Sequence, residues 1–279
     1  MEIKMKIRII TSVVALAVLA AVLVSPPMVF NIALAIVILI MLHECYTSAK
    51  ASKLIMSAGF VSSLAMMAAV YDSIQKAVPV WENTYIVGAL IITILLHMAV
   101  VVAEHGKSDY KAVLSSGFLT LYVTVSMSCL ALSKAEYGII FMMLTFVCAW
   151  MTDTGAYFTG RAIGKHKLIP HVSPNKTVEG AIGGIVISAL SCIIYLIIVS
   201  KCIDGVVITG QMLISGAIIG AVSAVFAQLG DLTASAIKRD TGVKDFGWIF
   251  PGHGGFMDRF DSVLFISPII YALLHYVIK

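Results

Sequence analysis

Gly230-Asp231-Leu232-Thr233-Ala234-Ser235-Ala236-Ile237-Lys238-Arg239 leads through Val243-Lys244-Asp245 and Pro251-Gly252-His253-Gly254-Gly255 to Asp258-Arg259-Phe260-Asp261-Ser262. Five of the fifteen acidic residues of the chain sit in these 33 positions, between apolar runs near 206–228 and 262–278. Each run is long enough, or nearly so, for a bilayer core of about 30 Å at about 1.5 Å of rise per helical residue. A polar island between two such runs reads as a loop joining membrane helices.

The same alternation extends outward to both termini. Further apolar windows lie near 7–24, 28–43, 54–71, 85–103, 112–132, 136–151 and 178–199, so the sequence predicts an all-α polytopic transmembrane protein of about nine spans. Composition agrees: 60% of the 279 residues are hydrophobic, 12% are charged, and the mean hydropathy is +1.00. A water-soluble domain has no need of that much apolar sequence. The five cysteines, Cys45, Cys129, Cys148, Cys192 and Cys202, form no CxxC pair and read as small core residues. Lys4, Lys6 and Arg8 before the first apolar run resemble the start of a signal peptide. Ser25-Pro26-Pro27 leads directly into another apolar run, however, so the first run is expected to be a retained span.

Orientation follows from the cations. With the N-terminus cytoplasmic, 15 of the 19 Lys and Arg fall on the inner side, and only Lys76, Lys134, Lys201 and Lys279 fall outside. Both long polar loops, 152–177 and 229–261, are then cytoplasmic, where nucleoside triphosphates are. Residues 1–135 read as scaffold helices, in which Ala33, Ala35, Ser57, Ala58 and Gly59 permit close approach, and 136–279 as the catalytic region. His43-Glu44, His97 and Glu104-His105 lie at span ends and read as polar termini at headgroup level, or as contacts to a lipid headgroup.

If the stretch from Gly230 continues a helix, Asp231, Ser235 and Lys238 share one face. Asp258 and Asp261 stand at i, i+3 after a glycine-rich turn that allows close backbone approach. Two carboxylate sources suit a hard cation such as Mg²⁺, while Lys238, Arg239, Lys244 and Arg259 suit phosphate oxygens. In the other loop, Asp153 closes a span and needs a cation or donor. Ser173 before Pro174 reads as a helix N-cap and N1 pair, open to a phosphate with Lys176 beside it.

These motifs also carry a resemblance. Ser235-Ala-Ile-Lys238-Arg239, Lys244-Asp245 and His253-Gly254-Gly255-Phe-Met-Asp258-Arg259-Phe-Asp261 are similar to the signature of the phosphatidate cytidylyltransferases, or CDP-diacylglycerol synthases. Trp150 with Asp153-Thr-Gly-Ala-Tyr157, and Ser173-Pro-Asn-Lys176-Thr-Val-Glu179-Gly180, resemble two further family segments. Asn175 stands where a basic residue is common and Val178 where an aromatic is common. The resemblance spans roughly 150–262 by motif and the remainder by hydropathy alone.

It implies transfer of a cytidylyl group from CTP to phosphatidic acid in a homodimer; the carboxylates add an expected dependence on Mg²⁺, and the charged loops on the inner side place the protein in a bacterial plasma membrane, with no nucleic-acid partner expected. On this reading Asp231 and Asp258 are catalytic metal ligands, with Asp261 and Asp153 as further ones, and the phosphate charges leave room for a second cation. Lys238, Arg239 and Arg259 would hold phosphate oxygens, and Ser173, Lys176, Ser235, Lys244 and His253 would contact substrate. His253 is expected to serve structure or phosphate contact rather than as a base, because a phosphate monoester is already largely ionised near pH 7. Two other readings stand beside this one. A transporter or channel would need matched midplane breaks, whereas the charges here cluster in two loops. A membrane enzyme acting on another lipid, such as a polyprenol kinase or an ether-lipid cytidylyltransferase, could share the nucleotide site.

Overall fold

A computed structural model describes the backbone of residues 2–203 and 208–278 and the side chains of 10–203 and 208–276. The helices are α1 (Glu2–Val24), α2 (Pro27–Ser48), α3 (Lys53–Lys76), α4 (Thr84–Ala103), α5 (Tyr110–Ile163), α6 (Val178–Cys202), α7 (Gly210–Thr241) and α8 (Met257–Ile278). Between α5 and α6 lies a small hairpin of β1 (Lys167–Ile169) and β2 (Ser173–Thr177). The protein is thus an all-α membrane protein. Among the described residues six helices, α2 to α7, are long and apolar enough to cross a membrane. At 54 residues α5 would run about 80 Å, far more than one crossing requires. It is interrupted at Gly138, whose φ of 82° and ψ of 169° are not helical, close to the gap expected between the spans 112–132 and 136–151. The expected start of the following span at 206 lies outside the described residues.

Local chemistry explains the ends. Pro27 occupies the first turn of α2, where its missing N–H costs no hydrogen bond. The side chains of Ser52, Asn83 and Thr177 cap α3, α4 and α6 by accepting from Ile55, Tyr85 and Gly180 N–H.

The chain forms two compact units, one of 1–135 and 241–259, the other of 136–240 and 260–279. Inside the first, polar side chains join α2 and α3 to α5. The Tyr46 hydroxyl pairs with Thr120 and packs over Gly59, and Ser63 meets Thr124 at 2.8 Å. Inside the second, α6 packs on α5 and α7 through small residues. A Cβ on Gly184 would come within 2.9 Å of the Thr152 carbonyl, and Ser188 donates to the Gly220 carbonyl at 3.0 Å. Lipid tails are as apolar as leucine, so such close packing and hydrogen bonds of roughly 0.6 kcal/mol each hold these helices together. The outward face of α6 carries Ile182, Val186, Leu190, Ile194 and Ile198, all more than half exposed at every fourth position, as a lipid-facing stripe must be.

Three sequence expectations change here. The polar loops are shorter than 152–177 and 229–261, because α5 continues to Ile163 and α7 to Thr241. Asp153 and Asp231 therefore stand on helices. Ser173 does not cap a helix: it opens β2, and Thr177 caps α6 instead. Pro174 is tolerated there because a two-stranded ribbon leaves edge positions with no N–H to donate. Finally, Glu44 and His97 are 4% and 3% exposed, so both are covered by the protein's own packing and not open to a lipid headgroup.

Candidate active site

Extension of α7 beyond its apolar length sets Asp231, Ser235 and Lys238 on one rigid helical face, as the spacing requires. Gly230 sits where α7 meets α8: a Cβ there would come 2.5 Å from the Asp261 carbonyl, so only glycine permits this approach. The carboxyls of Asp231 and Asp261 are brought into electrostatic contact by it.

Lys176, at the end of β2, reaches Asp231 and pairs with its carboxylate at 2.5 Å. Both partners keep part of their side-chain surface open, 24% for the lysine and 32% for the aspartate. A pair this exposed contributes little to stability, on the order of 0–1 kcal/mol, and exchanges readily for a ligand. Asp261 lies outside the segment read as spanning, 262–278, and is partly buried. Burial, then the negative charges of Asp231 and Asp153, push its carboxyl up to about 7, against the Ser262 N–H and the Lys238 charge. Three carboxylates and two lysines thus share one field in the second unit. Arg239 is exposed in the last turn of α7, and Ser235 and Ser173 are half-buried.

Such an arrangement suits an anion bound through a cation. A carboxyl raised by burial and by acidic neighbours would be favoured in its charged form by a divalent ion beside it. Among the described residues no three His, Cys, Asp or Glu side chains form a ready-made cage. Mg²⁺ does not require one, since it keeps several waters and takes one or two carboxylates plus substrate phosphates. The donor set therefore fits this ion.

The other predicted residues lie in the first unit. Asp258 is 7% exposed, and its Oδ2 accepts N–H bonds from Phe246 at 2.8 Å and Gly255 at 3.0 Å. Its chemistry is that of a carboxylate folding a loop around itself. Gly254, at a φ of 84°, completes the turn in a left-handed conformation that favours glycine. His253 is half-buried, with its Nε2 3.4 Å from the Ser12 hydroxyl. Lys244 and Arg259 are exposed at either end of the loop.

One residue has a partner that its place at a span end did not reveal. Glu44 on α2 takes the Phe256 N–H at 3.0 Å and the Met257 N–H at 2.8 Å. Its only signal was a carboxylate embedded among apolar residues with no cation at helical spacing. The partner, 212 positions away, was invisible.

Comparison with known proteins gives a consistent result. The model of the Cytidylyltransferase family matches residues 6–277. The phosphatidate cytidylyltransferase of Staphylococcus saprophyticus is 33% identical over 270 residues, covering 97% of this chain and 99% of the relative. That of Staphylococcus aureus matches with the same identity and coverage. The Bacillus subtilis phosphatidate cytidylyltransferase is 46% identical over 139 residues, half of this chain and 49% of the relative.

Proposed function

The chain belongs to the cytidylyltransferase family, and on that premise we propose that this nucleotidyltransferase is a phosphatidate cytidylyltransferase. A phosphate oxygen of phosphatidic acid attacks the α-phosphorus of CTP. The bond from that phosphorus to the bridging oxygen breaks, releasing pyrophosphate and leaving CDP-diacylglycerol. No protein nucleophile enters the balance, and the lipid phosphate needs no strong base. What the reaction requires is alignment of two anions and neutralisation of the charge between them.

The observation that carries this reading is the gathering of Asp153, Asp231 and Asp261 with Lys176 and Lys238 in the second unit. Asp231 and Asp261 would hold Mg²⁺, with Asp153 as a further or water-mediated ligand. Bound there, the ion would supply charge neutralisation at phosphate oxygens and a template for their orientation. Lys176, Lys238 and Arg239 would hold phosphate oxygens. Ser235 and Ser173 donate to the same anions. In the first unit we assign Lys244, His253 and Arg259 to contact with anionic substrate groups, and Asp258 to shaping the loop that carries them. A second cation is compatible with the phosphate charge.

We place the enzyme in a bacterial plasma membrane with this machinery on the cytoplasmic side, as the asymmetry of 15 inner against four outer cations supports. A homodimer is the assembly implied by the resemblance.

The test is product formation by purified protein in detergent with labelled CTP, phosphatidic acid and Mg²⁺, with and without EDTA. CDP-diacylglycerol and pyrophosphate, lost on chelation, are the expected result. Turnover only with another lipid phosphate or alcohol moves the substrate and keeps the chemistry; no CTP turnover overturns the proposal.

A further inference from the structure

Glu44 is a buried carboxylate that forms no ion pair among the described residues. It is expensive to keep, because a charge removed from water must recover its hydration through hydrogen bonds. It recovers them from one place only. Oε1 accepts from Phe256 N–H at 3.0 Å and Oε2 from Met257 N–H at 2.8 Å, the amides that open α8.

A helix ordinarily draws this cap from its own chain, from a Ser, Thr, Asp or Asn just before the first turn. Here Gly255 and Phe256 precede Met257, and neither carries a side-chain acceptor. The first N–H groups of α8 are satisfied instead by a residue from α2. The fit is steric as well. A Cβ on Gly247 or on Gly255 would overlap the Glu44 carboxylate, so the loop wraps it with bare backbone on two sides. Asp258 takes the neighbouring amides, Phe246 and Gly255. Two buried carboxylates thus hold four N–H groups of one loop. Between the clamped ends the chain turns back on itself, with Phe250 N–H donating to the Gly254 carbonyl at 2.9 Å and His253 N–H to the Phe250 carbonyl at 2.8 Å.

We propose that Glu44 is a positioning residue for cytidylyl transfer: it fixes the glycine-rich loop 247–257 and the first turn of α8, and thereby the aim of His253 and Arg259 at substrate anions. The inference rests on the function proposed above. Phosphoryl chemistry between two anions gains its rate from placement, and displacement of a positioned group by about 1 Å costs about 100-fold. The loop's own packing is confined to its ends, where Phe246 is buried and Phe250 meets Phe256 at 4.8 Å, while Trp248 between them is 87% exposed.

Glu44→Gln tests this, because the amide matches the carboxylate in shape but presents one acceptor and one donor to two N–H groups. Full-length variant and parent in detergent micelles are compared in kcat, in KM for CTP and in hydrogen–deuterium exchange. The expected result is a kcat lowered about 10- to 100-fold, a KM for CTP within about threefold of the parent, and faster exchange confined to 246–257. Gly255→Ala, which presses on the same carboxylate from the loop side, is expected to reproduce the pattern and serves alone if the first variant does not fold. A kcat within twofold of the parent in either folded variant overturns the proposal. So does a loss of activity that tracks the unfolded fraction, or exchange raised throughout the chain. A parent that makes no CDP-diacylglycerol refutes the functional reading instead, and the exchange pattern still decides whether Glu44 clamps the loop.

Discussion

The two units use carboxylates in opposite ways. In the second, Asp153, Asp231 and Asp261 repel one another, and the nearest relief is Lys176 and Lys238. In the first, Glu44 and Asp258 between them accept four backbone N–H groups of one loop. In the second unit the compensation comes from lysine side chains, and in the first from backbone N–H groups of a loop. Asp258 and Asp261, three residues apart, fall one in each unit.

The strongest way to break that contrast is to neutralise Asp231. Asp231→Asn is expected to lower kcat by roughly 1,000-fold or more, as loss of electrostatic stabilisation in a preorganised site commonly does. Melting temperature in metal-free buffer should stay near the parent or rise, since one of the mutually repelling charges is gone. Activity within tenfold of the parent would remove Asp231 from the metal set.

Asp258→Asn should cost less, about 10- to 100-fold in kcat, and by another route. Both N–H groups meet the same oxygen, so the amide carbonyl can take its place but accepts as a neutral group where a carboxylate did, and exchange at Phe246 and Gly255 should quicken. Affinity for Mn²⁺, followed by its paramagnetic relaxation of water protons, should stay within about threefold of the parent. In Asp231→Asn the same titration should fail. If Asp258→Asn loses the ion and Asp231→Asn keeps it, the division of roles drawn here is reversed.

How much of this was legible in the sequence depends on distance along the chain. The common face of Asp231, Ser235 and Lys238 follows from helical spacing over eight residues, and the structure has it. Gly138 and the cap at Thr177 are local too. Yet Ser173-Pro174 offered an equally good local start for a helix, and the choice fell to pairing of β2 with β1, which no cap motif records. Glu44 is the extreme case. Its partners lie 212 and 213 positions away, and the only local sign was an acidic residue in an apolar run. The same limit explains why Asp258 and Asp261 looked alike: spacing places both carboxylates, but only the folded chain shows which N–H groups and charges surround each.

Titration sharpens the comparison at an effect of about tenfold. The Asp261 carboxyl is raised from near 3.8 to about 7, chiefly by burial and then by Asp231 and Asp153. The folded, metal-free protein therefore holds a proton there that the unfolded chain has already lost. Its contribution to stability declines as pH rises from about 4 to about 7, the reverse of a salt-bridged aspartate. A cation needs the carboxylate, so apparent Mn²⁺ affinity should rise about tenfold from pH 6 to pH 8 and level off beyond. Asp261→Asn should bind more weakly at pH 8 and lose this slope. A parent affinity flat between pH 6 and 8 would mean that the ion does not meet Asp261.

The smallest effect is expected at His253, the residue whose chemistry is most tempting. An imidazole in a glycine-rich loop between two helices is the usual description of a general base. Two observations oppose that role. Its Nε2 faces the Ser12 hydroxyl at 3.4 Å within the first unit, so one ring nitrogen already has a neighbour from α1. Its N–H donates to the Phe250 carbonyl at 2.8 Å, placing the residue as a corner of the turn. The attacking phosphate is also mostly dianionic at pH 7 and has little proton to give. His253→Gln keeps a side chain able to meet Ser12, and should lower kcat no more than about threefold while leaving the shape of its pH profile intact. Loss of the acidic limb with a rate loss above about 100-fold would make His253 the base. The loop clamped by Glu44 and Asp258 would then be aiming a proton acceptor rather than an anion contact.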